Sequence, residues 1–249
     1  MTSKNKISTG SYDFNKWLYG GYEKDTITMI AGPPASGKTN FSILTACSQA
    51  KKGNKVLYVD TEGGFSTERV KQIVGKENFD KILENIILTN PTNFKEQKKL
   101  FETLLERIKK EQLSLIVVDG MAMLYRLELG DAIKTGEDEK VKEVNREVAK
   151  QMRTLAEITR KKNIPVIITN QVYFDFLKKA ELNNQEGQEK ERTMNLVGGD
   201  LFKYWSKCII ELKKQGNKRK AVLLKHRSLP EKEMLFEIRD LGLFKKRWF

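Results

Sequence analysis

The segment Gly32-Pro33-Pro34-Ala35-Ser36-Gly37-Lys38-Thr39 constrains this chain more than any other. It satisfies the pattern G-x-x-x-x-G-K-[ST] at every defined position, with an apolar run, Thr26 to Ala31, before it and helix-compatible residues, Asn40 to Ala50, after it. A strand, a glycine-bounded loop and a helix in that order form a phosphate cradle. Backbone N–H groups turn inward, the glycines admit an anion with no Cβ in the way, and the helix presents its positive end. Lys38 is placed to reach the β- and γ-phosphates of a nucleotide, and the Thr39 hydroxyl to ligate Mg²⁺.

The rest of the chain continues that pattern. Short apolar runs rich in Val and Ile recur at Val56 to Asp60, Ile86 to Thr89, Leu115 to Asp119 and Val166 to Thr169. Between them lie helix-period segments, one carrying Phe94, Leu100, Leu104 and Ile108, another Val141, Val144, Val148, Met152, Leu155 and Ile158. Strands alternating with helices predict an α/β fold, a mostly parallel sheet covered on both faces. Cys208 to Leu212, Ala221 to Lys225 and Leu235 to Ile238 read as strands on short turns, one at Gly216-Asn217, and predict a C-terminal antiparallel extension. Two stretches fit neither pattern and are expected to be loops: Glu128 to Glu139 and the polar Tyr173 to Val197. The 249 residues suit one large domain over 1–249, with 1–25 as a lead-in segment.

Three carboxylate or amide positions cluster at strand ends. Leu115-Ile116-Val117-Val118-Asp119 has the form of a Walker B strand, and Asp119 is the expected metal partner of Thr39. Glu62, in Val59-Asp60-Thr61-Glu62-Gly63-Gly64, follows a strand and can orient or deprotonate a water attacking a γ-phosphate; otherwise it is a solvated loop carboxylate. Gln171, in Thr169-Asn170-Gln171, can bond a γ-phosphate or simply satisfy backbone groups at a strand end.

In this order, these elements resemble the RecA-like recombinases, and more closely the short archaeal paralogues of that family. The segments carrying the likeness are GPPASGKTN (32–40), YVDTEGGFSTERVKQI (58–73), VDGMAMLYRLE (118–128), PVIITNQVY (165–173), GGDLFKYWSK (198–207) and KHRSLPE (225–231). The resemblance implies a RecA-like ATPase core in homologous recombination and DNA repair, binding ATP with Mg²⁺, hydrolysing it weakly, and assisting the main recombinase without strand exchange of its own. It implies DNA (single-stranded or branched), the main archaeal recombinase and a junction-cleaving nuclease as partners. Glu62, Lys38 and Gln171 become the catalytic set, Gln171 as γ-phosphate sensor. The nucleotide contacts become Gly32, Pro33, Pro34, Ala35, Ser36, Gly37, Lys38 and Thr39, with Arg69 either stacking on adenine or standing as a helix-surface charge. With the P-loop beginning at residue 32, the helical DNA-binding domain that precedes the core in full recombinases is not expected here. Two positions depart from the family pattern: Ala35, where Gly is common, and Gly120, where Ser is common and whose missing hydroxyl is expected to weaken hydrolysis.

Charge points to a polyanion. The chain carries a net +13, and residues 203–249 hold fourteen Lys or Arg against five Asp or Glu. Lys213, Lys214, Lys218, Arg219 and Lys220, with Tyr204, Trp205 and Trp248 nearby, form either a DNA-contacting surface or a solvated hairpin edge. Lys225 and Arg227, at the end of one strand, are expected to project to one side and reach a neighbouring subunit's γ-phosphate, or to bind DNA or pair with Glu231 and Glu233. The first alternative would make the chain a homo-oligomer. Two wider readings stay open: a non-enzymatic adaptor using ATP as a structural ligand, and a clock- or helicase-type ring ATPase.

Several classes are excluded. Hydrophobic residues at 39% and charged residues at 32% suit a cored protein rather than a disordered or collagen-like chain. Cys47, Cys208 and the single His226 have no zinc-site spacing, and both cysteines read as core residues. No apolar run approaches the roughly 18 residues of a membrane span. The polar start lacks the apolar stretch of a signal peptide, so the cytoplasm is the expected compartment, with no membrane partner.

Overall fold

The computed structural model describes residues 5–173, 195–196, 199–216 and 218–246. Its chain order begins β1 (Lys6–Ile7), α1 (Tyr12–Trp17), β2 (Tyr22–Glu23), β3 (Ile27–Gly32), α2 (Lys38–Ala50), β4 (Val56–Asp60), α3 (Thr67–Val74), α4 (Lys76–Leu83) and β5 (Ile86–Thr89). It continues with α5 (Phe94–Glu111), β6 (Leu115–Asp119), α6 (Met123–Lys134), α7 (Asp138–Lys162), β7 (Val166–Tyr173) and β8 (Asn195–Leu196). The last elements are α8 (Asp200–Trp205), β9 (Ser206–Gln215), β10 (Lys218–Lys225), β11 (Lys232–Arg239) and β12 (Gly242–Lys245).

One large sheet organises most of them, in the order β12-β11-β10-β9-β3-β7-β6-β4-β5, with β8 beside β7, while β1 and β2 pair separately. From β9 to β5 along that order the strands are parallel; β9 to β12 form an antiparallel meander. Alternation along each strand divides the core into two layers. In β6, Ile116 and Val118 pack with Leu104, Val148 and Leu155 of α5 and α7, whereas Leu115 and Val117 face the layer built around α2. β3, β4 and β6 are buried on both faces, which is why they read as continuous apolar runs.

The lead-in is part of this core rather than a tail. Ser11 caps α1 by accepting from Phe14 N, and Phe14 packs edge-on against Phe41 of α2 at 4.6 Å and Phe236 of β11 at 5.6 Å. The Ser11 hydroxyl also donates to Leu243 O at 2.6 Å, which ties the lead-in to β12.

One expected loop is helical. Glu128 to Glu139 lies mostly in α6, which runs to Lys134, and α7 starts at Asp138 after a three-residue link. Exposed Leu127 and Ile133 and the internal Gly130 blur the helical period there. Of Tyr173 to Val197, residues 174–194 and 197 lie outside the described residues, and Asn195–Leu196 add a short antiparallel strand to β7. The C-terminal strands are longer than their apolar centres, and β12 was not anticipated. Gly216 takes a positive φ of 56° at its turn, while Asn217 lies outside the described residues. Cys47 and Cys208 are buried and free, and burial pushes both thiols up to about 12. No helix among the described residues is long and apolar enough to cross a membrane.

Candidate functional site

β3 is an inner strand, hydrogen-bonded to β7 on one side and β9 on the other, and the phosphate-type loop leaves its carboxyl end. Gly37 caps α2 at φ 110°, and an added Cβ there would lie 2.9 Å from Ile238 Cδ1. No side chain caps α2, so its first-turn N–H groups face the loop interior without a side-chain acceptor. That is the arrangement an anion fills. Ala35 sits in the left-handed region at φ 58°, which explains why glycine suits that position in similar loops. Lys38 folds back over the loop, its Nζ donating to Gly32 O at 3.0 Å and Pro33 O at 3.1 Å. Burial lowers its pKa, opposed by the charges of Glu62 and Asp119.

Asp119, at the end of β6, is nearly enclosed. Its carboxylate accepts from Tyr58 Oη at 2.8 Å and Thr169 Oγ1 at 2.6 Å, and the Thr39 side chain is close enough to help lower its pKa. Burial nonetheless raises its pKa above the ordinary value. Thr39 and Asp119, expected as metal partners, are therefore adjacent. The donor set, a hydroxyl beside a fixed carboxylate, fits a hard cation held through oxygen.

Glu62 sits in a turn that Asp60 shapes. The Asp60 carboxylate accepts the N–H groups of Glu62, Gly64 and Phe65 at 3.1, 3.2 and 2.8 Å. Thr61 pins the same turn to β6, its hydroxyl donating to Gly120 O at 2.8 Å. Gly120 has φ 89°, and a Cβ there would lie 2.3 Å from Thr61 Oγ1. Gln171, from the end of β7, donates its amide to both oxygens of Glu62 at 3.1 Å each. Glu62, Lys38, Thr39, Asp119 and Gln171 thus meet at the carboxyl ends of β3, β4, β6 and β7. Tyr58, Asp60 and Thr61 had no assigned role from sequence; their signal is only that polar groups end or interrupt apolar strands.

Arg69 follows neither expectation fully. Its guanidinium bonds Asn40 Oδ1 at 2.8 Å and Gln72 Oε1 at 2.9 Å, and reaches across to Arg239 O at 2.8 Å and Asp240 O at 3.0 Å. It is a strut between α2, α3 and the β11–β12 turn.

Lys225 and Arg227 also differ from expectation. Lys225 ends β10 and donates to Lys203 O at 2.7 Å, holding the end of α8. Arg227 lies past the strand, so the two-residue alternation does not apply to it. Its guanidinium forms a two-point contact with Asp25 at 2.7 Å and meets Glu23 at 2.9 Å, not Glu231 or Glu233. Both cations are occupied within the chain.

The basic cluster is divided by the pleat. Lys220 stands opposite Lys213, and Arg219 opposite Lys214. Lys213, Lys218 and Lys220 take one face; Lys214 and Arg219 share the other with buried Leu212 and Ala221. Lys213 pairs with Glu211 at 3.1 Å and Lys220 with Glu233 at 2.8 Å. Tyr204 and Trp205 lie on α8, Lys207 of β9 sits 5.3 Å from the Tyr204 ring, and Trp248 lies outside the described residues.

A P-loop strand inside a mostly parallel sheet, with Glu62, Asp119 and Gln171 above its neighbours and an antiparallel meander beyond, defines a RecA-like core. The Rad51 family model matches residues 3–246. The DNA repair and recombination protein RadB of Methanobrevibacter smithii is 41% identical over 243 residues, covering 96% of this chain and 95% of that one. RadB of Methanocaldococcus jannaschii is 40% identical over 226 residues (91% and 96%), and RadB of Methanothermobacter thermautotrophicus 34% over 232 (92% and 90%). The chain belongs to the Rad51 family and, within it, to the RadB recombinase paralogues.

Proposed function

We propose that this protein works in homologous recombination and DNA repair as an ATP- and DNA-binding, weakly hydrolysing partner of the main recombinase. The observation that carries the reading is the convergence of Lys38, Thr39, Asp119, Glu62 and Gln171 around one loop. Bound Mg²⁺ would neutralise charge on the phosphate oxygens, with Thr39 and Asp119 as the residues that hold it. Lys38, released from Gly32 O and Pro33 O, compensates the β- and γ-phosphate charge. Glu62 accepts a proton from the attacking water, and Gln171 bonds the terminal phosphate and thereby lets go of Glu62. The family supports DNA as a partner; a junction-cleaving nuclease is a further candidate.

A second reading is favoured by one specific contact. With Gln171 across both oxygens, Glu62 is occupied, as suits a protein that holds ATP as a structural ligand. Single-turnover hydrolysis, with and without single-stranded DNA, separates the two. Turnover that the Glu62→Gln variant loses upholds the enzyme; none in either protein, with ATP bound, upholds the adaptor.

A further inference from the structure

A groove of about 830 Å³ runs between α1 and the β11–β12 hairpin. Its walls include Tyr12, Lys16 and Trp17 of α1 with Phe244, Lys245 and Lys246. A second groove, of about 480 Å³, is lined by Lys213, Lys218 and Lys220 and shares Met234, Lys245 and Lys246 with the first. The two form one track over the β12 edge of the sheet, linking the lead-in to one face of the basic hairpin.

Seven cations and three carboxylates line the track. Each carboxylate is already engaged: Glu237 by Arg239, Glu233 by Lys220 at 2.8 Å, and Asp13 by the Lys245 N–H at 2.8 Å. Lys16, Lys245 and Lys246 are exposed and pair with no carboxylate among the described residues. Tyr12 is 80% exposed and stacks on no other ring among the described residues. A solvated aromatic at the mouth of a groove with unpaired lysines along it offers a face for a base and charges for the phosphates on either side.

We infer that this track binds single-stranded DNA, with Tyr12 stacking a base and Lys245 and Lys246 meeting its backbone. The inference rests on the DNA-binding reading above and moves the contact. The aromatic element is Tyr12 from the lead-in rather than Tyr204 or Trp205, and only the Lys213–Lys218–Lys220 face of the hairpin takes part. The track is linked to α2 through Arg69. Arg239, whose guanidinium lies 5.2 Å over the Phe244 ring, gives its carbonyl to Arg69, the strut beside α2.

Fluorescence anisotropy with a labelled oligothymidylate and with a matching duplex, on the full chain, tests it. Tyr12 is an exposed first-turn residue behind the Ser11 cap, so Tyr12→Ala leaves the fold intact. It should weaken single-strand binding about tenfold and leave duplex binding unchanged. Lys245→Ala with Lys246→Ala should make the salt slope shallower by about 1.4, at about 0.7 per phosphate contact. A control losing two exposed lysines of α5, Lys109→Ala with Lys110→Ala, should not. If the parent chain binds the oligothymidylate and Tyr12→Ala binds it equally, or if Tyr12→Ala loses duplex and single strand alike, the track is not the site. If the parent chain binds neither DNA at low salt, the DNA-binding reading itself falls.

Discussion

The amide of Gln171 spans the two carboxylate oxygens of Glu62, 3.1 Å from each, and joins the ends of β7 and β4 across 109 residues of sequence. A γ-phosphate competing for that amide would set Glu62 free. Gln171→Ala should therefore keep ATP bound but remove the coupling between phosphate and base. Glu62→Gln should lower hydrolysis by about 10²-fold or more. Single-turnover rates at saturating ATP check both; an unchanged rate in Glu62→Gln removes it as the base.

Lys38 is buried, but its ammonium reaches only two loop carbonyls, so its loss is expected to be chiefly a binding defect. Lys38→Ala should weaken ATP on the order of a hundredfold, as for a lost charge-assisted contact, with stability changed by about 1 kcal/mol or less. Nucleotide titration and a melting curve on the same preparation decide it.

Ala35 holds a left-handed backbone that costs an L-residue about 1–2 kcal/mol, while glycine adds roughly 0.5–1 kcal/mol of unfolded-chain entropy. The difference favours Ala35→Gly by about 0.5 kcal/mol, or roughly 2 °C in melting temperature. A lower melting temperature would mean the loop is relaxed as it stands.

At Gly120 the opposite holds. The family resemblance leads one to expect serine here, yet a Cβ would lie 2.3 Å from Thr61 Oγ1. Gly120→Ser should destabilise by about 2 kcal/mol and displace the Glu62 turn instead of restoring activity. Adding Thr61→Ala should recover only some of the steric cost, since Glu62 Cγ lies 2.8 Å from the same Cβ; a neutral single variant contradicts the packing described for this turn.

Arg227 bonds Asp25 at two points and also meets the buried Glu23. Removing it leaves the buried Glu23 with only His226, at 3.9 Å, so Arg227→Ala should cost about 2 kcal/mol, discounted for the half-exposed guanidinium. Arg227 holds Asp25 below its ordinary pKa of 3.8. That contribution is present above about pH 3.8 and is lost as pH falls through the lower folded-state value. Denaturation across the acid range should show a shallower acid limb in Asp25→Asn.

Local signals explain what was legible in the sequence. β4, β5 and β6 have the bounds their apolar runs define, and the P-loop pattern fixes β3 and α2 with it. Glu62, Asp119 and Gln171 converge because parallel strands bring their carboxyl ends to one edge. Contacts with no local trace were hidden. Tyr58 reads as one more apolar strand residue, and its hydroxyl matters only because β6 lies alongside with Asp119 in reach. Arg227 finds Asp25 across 202 residues, so the nearer Glu231 and Glu233 misled. The helical character of α6 is hidden in the sequence where exposed Leu127 and Ile133 break the period, so its second half reads as loop.

β3 has a consequence for synthesis on the ribosome. Ile27 pairs with Val166 on one side and Ser206 on the other, so both neighbours of the P-loop strand are made long after it. Such distant pairings close slowly, and strand edges are exposed until they do. During translation the loop that should hold phosphate hangs from a strand with two open edges. A nascent chain then has no formed nucleotide site until most of it has emerged, and ATP can act only on the last stage of its folding.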